Sequence, residues 1–153
     1  MNLLLSRSDP DGALWADDNT VRLLQAIAQP LAPADRSVEL ILVSDERIRE
    51  INREFRGKDL ATDVISFSYV DAPGPATEID LAGEIYVSHE TLEKEAKELG
   101  VDSTDLFLRV GVHGLLHVVG YDHEDEADAE RMESREREVL APHLSAATLD
   151  ALF

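Results

Sequence analysis

The chain has 153 residues, 44% of them apolar and only 5% aromatic, which suits one domain spanning 1–153 with a core of Leu, Ile, Val and Ala. Its 32 acids against 14 bases give a net charge of −18, which argues against a protein that coats nucleic acid without selection but not against one that grips a single RNA segment through a local basic patch. The absence of cysteine excludes disulfides, thiolate metal sites and a cysteine nucleophile, so a tight transition-metal site must use His and carboxylates.

The first residues, Met1 to Arg7, have too short an apolar run for a signal peptide and no basic n-region. No stretch approaches the roughly 18 apolar residues of a membrane span, so a soluble, cytoplasmic protein is expected. Residues 3–5 read as a short edge strand. Asp17 or Asp18 is placed to cap a helix running to about residue 29, with Val21, Leu24, Ile27 and Ala28 on one face and Pro30 and Pro33 stopping it. Residues 38–43 predict a strand partly buried on both faces. Ser44 caps a second helix, 45–55, with Ile48, Ile51 and Phe55 inward. Residues 64–70 are strand-like by composition, and Asp71 to Thr77, rich in Pro and Gly, reads as a surface excursion. Residues 81–87 form another strand, in which Gly83 signals a bulge or a close backbone approach. A helix opens at Ser88 or Thr91 and ends at Gly100, a C-cap glycine. Residues 104–118 are apolar on most sides, which predicts a buried central helix. An acidic helix covers about 125–140 and reads as a solvated face. With strands in the middle and helices towards the end, the expected class is α+β, a small mixed sheet of about four strands packed with helices.

Three of the five histidines, His113, His117 and His123, lie within eleven residues. On a helix, His113 and His117 at i and i+4 project side by side and reach one ion. Gly120 can take positive φ and end the helix abruptly, so that the chain turns back and His123 arrives from the far side. Three imidazoles leave a fourth tetrahedral position open, the layout of a catalytic zinc site at the end of the central helix. The same His-x-x-x-His-x-x-Gly-x-x-His spacing occurs in metzincin proteases, which carry Glu as general base directly after the first His. Here that position is Gly114: the metal-binding half of the motif is present and the peptidase base is missing. His89 reads as a helix-start residue and His143 as a surface residue.

Residues 44–59 hold Arg47, Arg49, Arg53, Arg56 and Lys58, matched by Asp45, Glu46, Glu50, Glu54 and Asp59. Arg49 and Arg53 read as a solvated face laced with ion pairs. Arg56 and Lys58 follow the helix and flank Gly57, where a guanidinium can either fork onto a phosphate or join the same solvated face.

Three blocks resemble the YbeY family of bacterial endoribonucleases. They are Ile51 to Asp59 running into Thr62 to Phe67, Leu81 to Ile85, and His113 to His123. Together they span most of the chain from about residue 38 to residue 140. Val118, Ile65 and Ser68 stand where the family more often has Leu, Leu and Pro. The resemblance implies a single-strand-specific, metal-dependent endoribonuclease in 16S rRNA 3′-end maturation and ribosome quality control. It implies one zinc ion per chain, with other divalent transition metals as alternatives, held by His113, His117 and His123. It carries the family's functionally important arginine onto Arg56. The implied partners are single-stranded RNA, 16S rRNA and the ribosome or its proteins, with no membrane and no DNA. No general base is evident: Asp122 better suits a supporting or turn role, and His89 and Asp63 are weaker candidates. Two rivals stand beside this reading. One is a metal-dependent peptidase or amidase, against which Gly114 argues. The other is a non-catalytic ribosome-assembly factor with a structural ion, whose acidic helix 125–140 docks on a basic protein.

Overall fold

The computed structural model describes residues 2–7, 17–31, 35–71, 80–122 and 124–153. Four strands, β1 (Asn2–Arg7), β2 (Ser37–Val43), β3 (Val64–Ser68) and β4 (Leu81–Ser88), form one sheet in the order β1-β2-β4-β3. β1 and β4 both run parallel to β2, and β3 closes the far edge antiparallel to β4. The helices among the described residues are α1 (Asp18–Ala28), α2 (Asp45–Arg56), α3 (His89–Leu99), α4 (Ser103–Val118), α5 (Glu126–Leu140) and α6 (Ala146–Leu152). The α+β class with a four-stranded mixed sheet is as expected.

Side chains alternate across a strand, and β2 is apolar on both faces. Val38, Leu40 and Leu42 join the larger core, which also takes in Leu24 and Ile27 of α1 and Phe107, Leu115 and Leu116 of α4. Ile41 and Val43 join a smaller cluster on the other face with Ile48 and Ile51 of α2 and Ile65 of β3. The sheet is therefore covered by α2 on one face and by α1 and α4 on the other. α4 is the buried central helix that its apolar run predicts, and it packs on β3, β4, α1, α3, α5 and α6.

The contact between α4 and the sheet is close because small residues face it. A Cβ on Gly83 of β4 would lie 2.6 Å from the Phe67 carbonyl oxygen and 2.6 Å from both γ-carbons of Val118, so this glycine marks the close approach read from the sequence. β3 adds two bonds to the same helix: the Ser66 hydroxyl donates to the Gly114 carbonyl (3.3 Å), and the Ser68 hydroxyl donates to the Val118 carbonyl (2.6 Å). Ser68 and Val118, two of the departures from the resembled pattern, are thus bonded to each other.

Three expectations are corrected or extended. Phe55, predicted inward, is 61% exposed; it packs edge-on against Phe67 at 5.3 Å and 74°, because the last turn of α2 leaves only an aromatic ring of β3 within its reach. β3 stops at Ser68 rather than residue 70. α6, capped by Ser145 and burying Leu149 and Leu152, was not anticipated. Residues 72–77 of the expected surface excursion lie outside the described residues. No described helix is long and apolar enough to cross a membrane.

The Gly83 contact makes a direct prediction. A methyl group there meets backbone, which cannot rotate away, so Gly83→Ala is expected to destabilise by about 1–3 kcal/mol. Urea unfolding should show a lower midpoint with an unchanged slope.

Candidate active site

Arg56 is placed by the way α2 ends. Ser44 caps the start of the helix, its hydroxyl accepting from the Arg47 N–H (3.2 Å), and Ile48 and Ile51 fix its rotation on the sheet. Gly57 adopts φ 70°, and the Gly57 and Lys58 N–H groups donate back to the Arg53 and Asn52 carbonyls, a glycine-terminated helix end. The side chain of Asn52 then donates to the Leu60 carbonyl (2.9 Å) and holds the returning loop. The alternatives left open for the arginines separate here. Arg49 forms a two-pronged pair with Asp59 (2.9 and 3.2 Å), and Arg47 pairs with Glu50 (3.1 Å). Arg56 has no ion-pair partner among the described residues and instead lines the cleft beside β3.

His113 and His117 occupy successive turns of α4, as the i, i+4 spacing requires. Their ring centroids are 4.7 Å apart with planes at 81°. Behind them Glu136 of α5 is buried, and its Oε1 lies 2.7 Å from Nδ1 of His113. The helix ends where expected: Gly120 has φ 110°, and the Gly120 and Tyr121 N–H groups bond the His117 and Leu116 carbonyls. His123 lies outside the described residues.

The cleft has a volume of about 520 Å³ and brings together Arg56 of α2, Asp63 ahead of β3, His113 and His117 of α4, and Asp122 beyond it. Of the weaker candidates, Asp63 and Asp122 line it. His89 is buried at the start of α3 and does not line it, and His143 is exposed. Gly114 is buried against the sheet, where a Cβ would lie 2.7 Å from the Ile85 side chain and 3.0 Å from the Ser66 hydroxyl. The missing peptidase base thus has a packing cause: that position faces the sheet, and a glutamate side chain cannot fit there.

Two features escaped the sequence reading. Composition predicts a solvated acidic helix that includes Glu136, yet Glu136 sits between Met132 and Leu140 at i−4 and i+4, and all three are buried. A carboxylate at the centre of that stripe was the available signal. The second is Glu95 of α3, which shares a hydrogen bond with Asp63. Burial first, then the charge of Asp63 and that bond, then the charge of Glu98, push its carboxyl up to about 7 against an opposing effect of Lys94.

A folded-state pKa above the usual value means the folded protein holds this proton more tightly than the unfolded chain. The stabilisation is complete below the ordinary glutamate range and is lost as pH rises through about 7. Unfolding midpoints measured between roughly pH 5 and pH 8 should therefore fall, and Glu95→Gln should flatten that fall. An identical pH slope in both proteins would contradict the raised affinity of Glu95 for its proton.

The chain is similar to known proteins in both sequence and fold. The family model described as "Endoribonuclease YbeY" matches residues 16–143. A protein of that name from Francisella tularensis subsp. novicida is 36% identical over 136 residues, covering 88% of this chain and 84% of the relative. One from Allorhizobium ampelinum is 40% identical over 129 residues, covering 81% and 74%. The solution structure of a Thermotoga maritima protein superposes with a TM-score of 0.57 at 32% identity, covering 92% of this chain and 90% of that one. With this cleft, this topology and these relatives, the chain belongs to the endoribonuclease YbeY family.

Proposed function

We propose that this chain is a single-strand-specific, zinc-dependent endoribonuclease of the cytoplasm. Its substrate is the 3′ end of 16S rRNA, cut during maturation and in ribosome quality control. The RNA endonuclease role in rRNA maturation comes with the family; the metal, the single-strand preference and the ribosomal setting are the finer parts of the proposal. The observation that carries it is that Arg56 and the His113–His117 pair, from separate elements, line one cleft.

The residues present suit a borderline divalent cation. Two imidazoles on adjacent turns, one backed by a buried carboxylate, are a nitrogen donor set that zinc favours in the absence of thiolates. His113 and His117 would hold the ion together with His123. When bound, it supplies Lewis-acid stabilisation of charge on a phosphoryl oxygen and acidifies water.

The remaining chemistry belongs to the chain itself. The planar guanidinium of Arg56, with no carboxylate to neutralise it among the described residues, donates to the non-bridging oxygens of a phosphodiester and stabilises the charge that builds there. Asp63 and Asp122 are carboxylates that line the cleft, and in this reading a proton leaving the nucleophile goes to one of them. Asp63 is held by the Val64 N–H, which donates to its Oδ1 at 2.8 Å, and by the Thr62 hydroxyl at 3.3 Å. The acidic face of α5 offers a surface to a basic ribosomal protein.

Two experiments test this reading. Purified protein should carry about one zinc per chain, and chelation should abolish cleavage of a single-stranded RNA. His117→Ala should lower the metal content, and full occupancy in that variant would contradict the site. Separately, Arg56→Ala should keep its fold and its metal while RNA turnover falls roughly 10²–10³-fold, with little rescue by Arg56→Lys. Arg49→Ala, which only breaks the exposed pair with Asp59, is the control and should matter far less. Equal losses in the two variants would reduce the role of Arg56 to diffuse electrostatics.

A further inference from the structure

The side chain of Glu136 is only 2% exposed, and a carboxylate at that depth is tolerated only with polar or charged partners. Its two oxygens are engaged differently. Oε1 lies 2.7 Å from Nδ1 of His113, and Oε2 lies 4.0 Å from a guanidinium nitrogen of Arg109. Arg109 is one turn before His113 on α4, and its guanidinium carbon stands 3.9 Å from the centroid of the Phe153 ring. A continuous series of contacts therefore runs from the Phe153 ring through the Arg109 guanidinium and the Glu136 carboxylate to the His113 imidazole at the cleft.

The chemistry of that series selects one form of the histidine. An ionised carboxylate only accepts hydrogen bonds, so the neutral imidazole must carry its proton on Nδ1, and the lone pair is then on Nε2. Such a bond also fixes the ring about its own axis, which packing on a half-open cleft wall does not do. Of the acids on α5, only Glu136 is buried, and its neighbour Glu138 is spent on an exposed pair with Arg135 (3.1 Å).

We infer that Glu136 is a positioning residue for the metal centre: it holds His113 as the Nδ1–H tautomer with Nε2 as the ligating nitrogen, while Arg109, braced on Phe153, holds the carboxylate. This rests on the metal reading above. Supporting carboxylates of this kind typically change metal affinity by about 10–100-fold when removed.

The test is zinc affinity by competition with a chelating dye, measured for wild type, Glu136→Gln, Glu136→Ala and Glu138→Gln. It is paired with ¹⁵N NMR of the imidazoles in the metal-free proteins. Wild type should bind zinc tightly and show His113 as the Nδ1–H tautomer. Glu136→Ala should bind about 10–100-fold more weakly and lose the tautomer preference. Glu136→Gln, which matches the shape and keeps the fold if the alanine variant does not, retains an oxygen that can accept the Nδ1–H but lacks the charge, so it should weaken zinc binding by less than the alanine variant. Glu138→Gln should change neither. Wild-type zinc binding that is unaltered in affinity in both Glu136→Gln and Glu136→Ala overturns the inference alone. A wild-type protein that takes up no zinc overturns the metal reading and the inference with it.

Discussion

The site depends on how closely α4 lies against the sheet. That approach is set at two glycines, Gly83 on the strand side and Gly114 on the helix side, with Val118 and Ile85 filling the space that a Cβ would occupy. The hydroxyls of Ser66 and Ser68 add bonds to carbonyls of the same helix segment. Dense packing of this kind does not deform gradually. It fixes the depth and rotation of α4, and so directs His113 and His117 to the cleft while Gly114 faces Ile85. One packing constraint thus sets the histidine pair at the cleft and leaves no place on α4 for the glutamate that would make it a peptidase site.

Charge is distributed around that framework in a way the total of −18 conceals. Most described arginines are matched: Arg47 with Glu50, Arg49 with Asp59, Arg131 with Asp128 and Arg137 with Asp150. Such exposed pairs contribute little to stability, but they neutralise charge that would otherwise attract RNA anywhere on the surface. Arg56, which lines the cleft, has no such pair among the described residues, and neither have Arg22 and Arg53. In the reading proposed above, the net negative charge disfavours polyanions over the surface at large, and the guanidinium that lines the cleft is the local exception. At the cleft wall Asp63 shares a hydrogen bond with Glu95.

What was legible in the sequence was what local geometry dictates. The i, i+4 histidines, the glycine that ends α4, the burial of that helix and the cap residues of α1, α2 and α3 all follow from helical periodicity and from the conformations glycine and serine favour. Two of the three family blocks, the one running from Ile51 to Phe67 and the one from His113 to His123, contribute residues that line the cleft. The distinction between Arg49 and Arg56 was not available, because it depends on the chain reversing at Gly57 and delivering Asp59 to Arg49. Phe55 shares the spacing of Ile48 and Ile51 but stays 61% exposed with its ring against Phe67 at the β3 edge, and periodicity carries no information about where a partner surface stops. Glu136 was hidden by composition: six acids on one helix invite a solvated reading, and only its place between Met132 and Leu140 betrays the buried one.

The central claim is that one cleft binds a metal through His113 and His117 and a phosphate through Arg56. The most direct measurement is a crystal structure of the zinc-loaded protein with a short, non-cleavable single-stranded RNA, with anomalous scattering recorded at the zinc edge. The account predicts one anomalous peak about 2.0–2.1 Å from Nε2 of both histidines, with His123 as the third ligand and an RNA phosphate on the Arg56 guanidinium. An anomalous peak away from those nitrogens, or RNA bound on a face remote from Arg56, would contradict it.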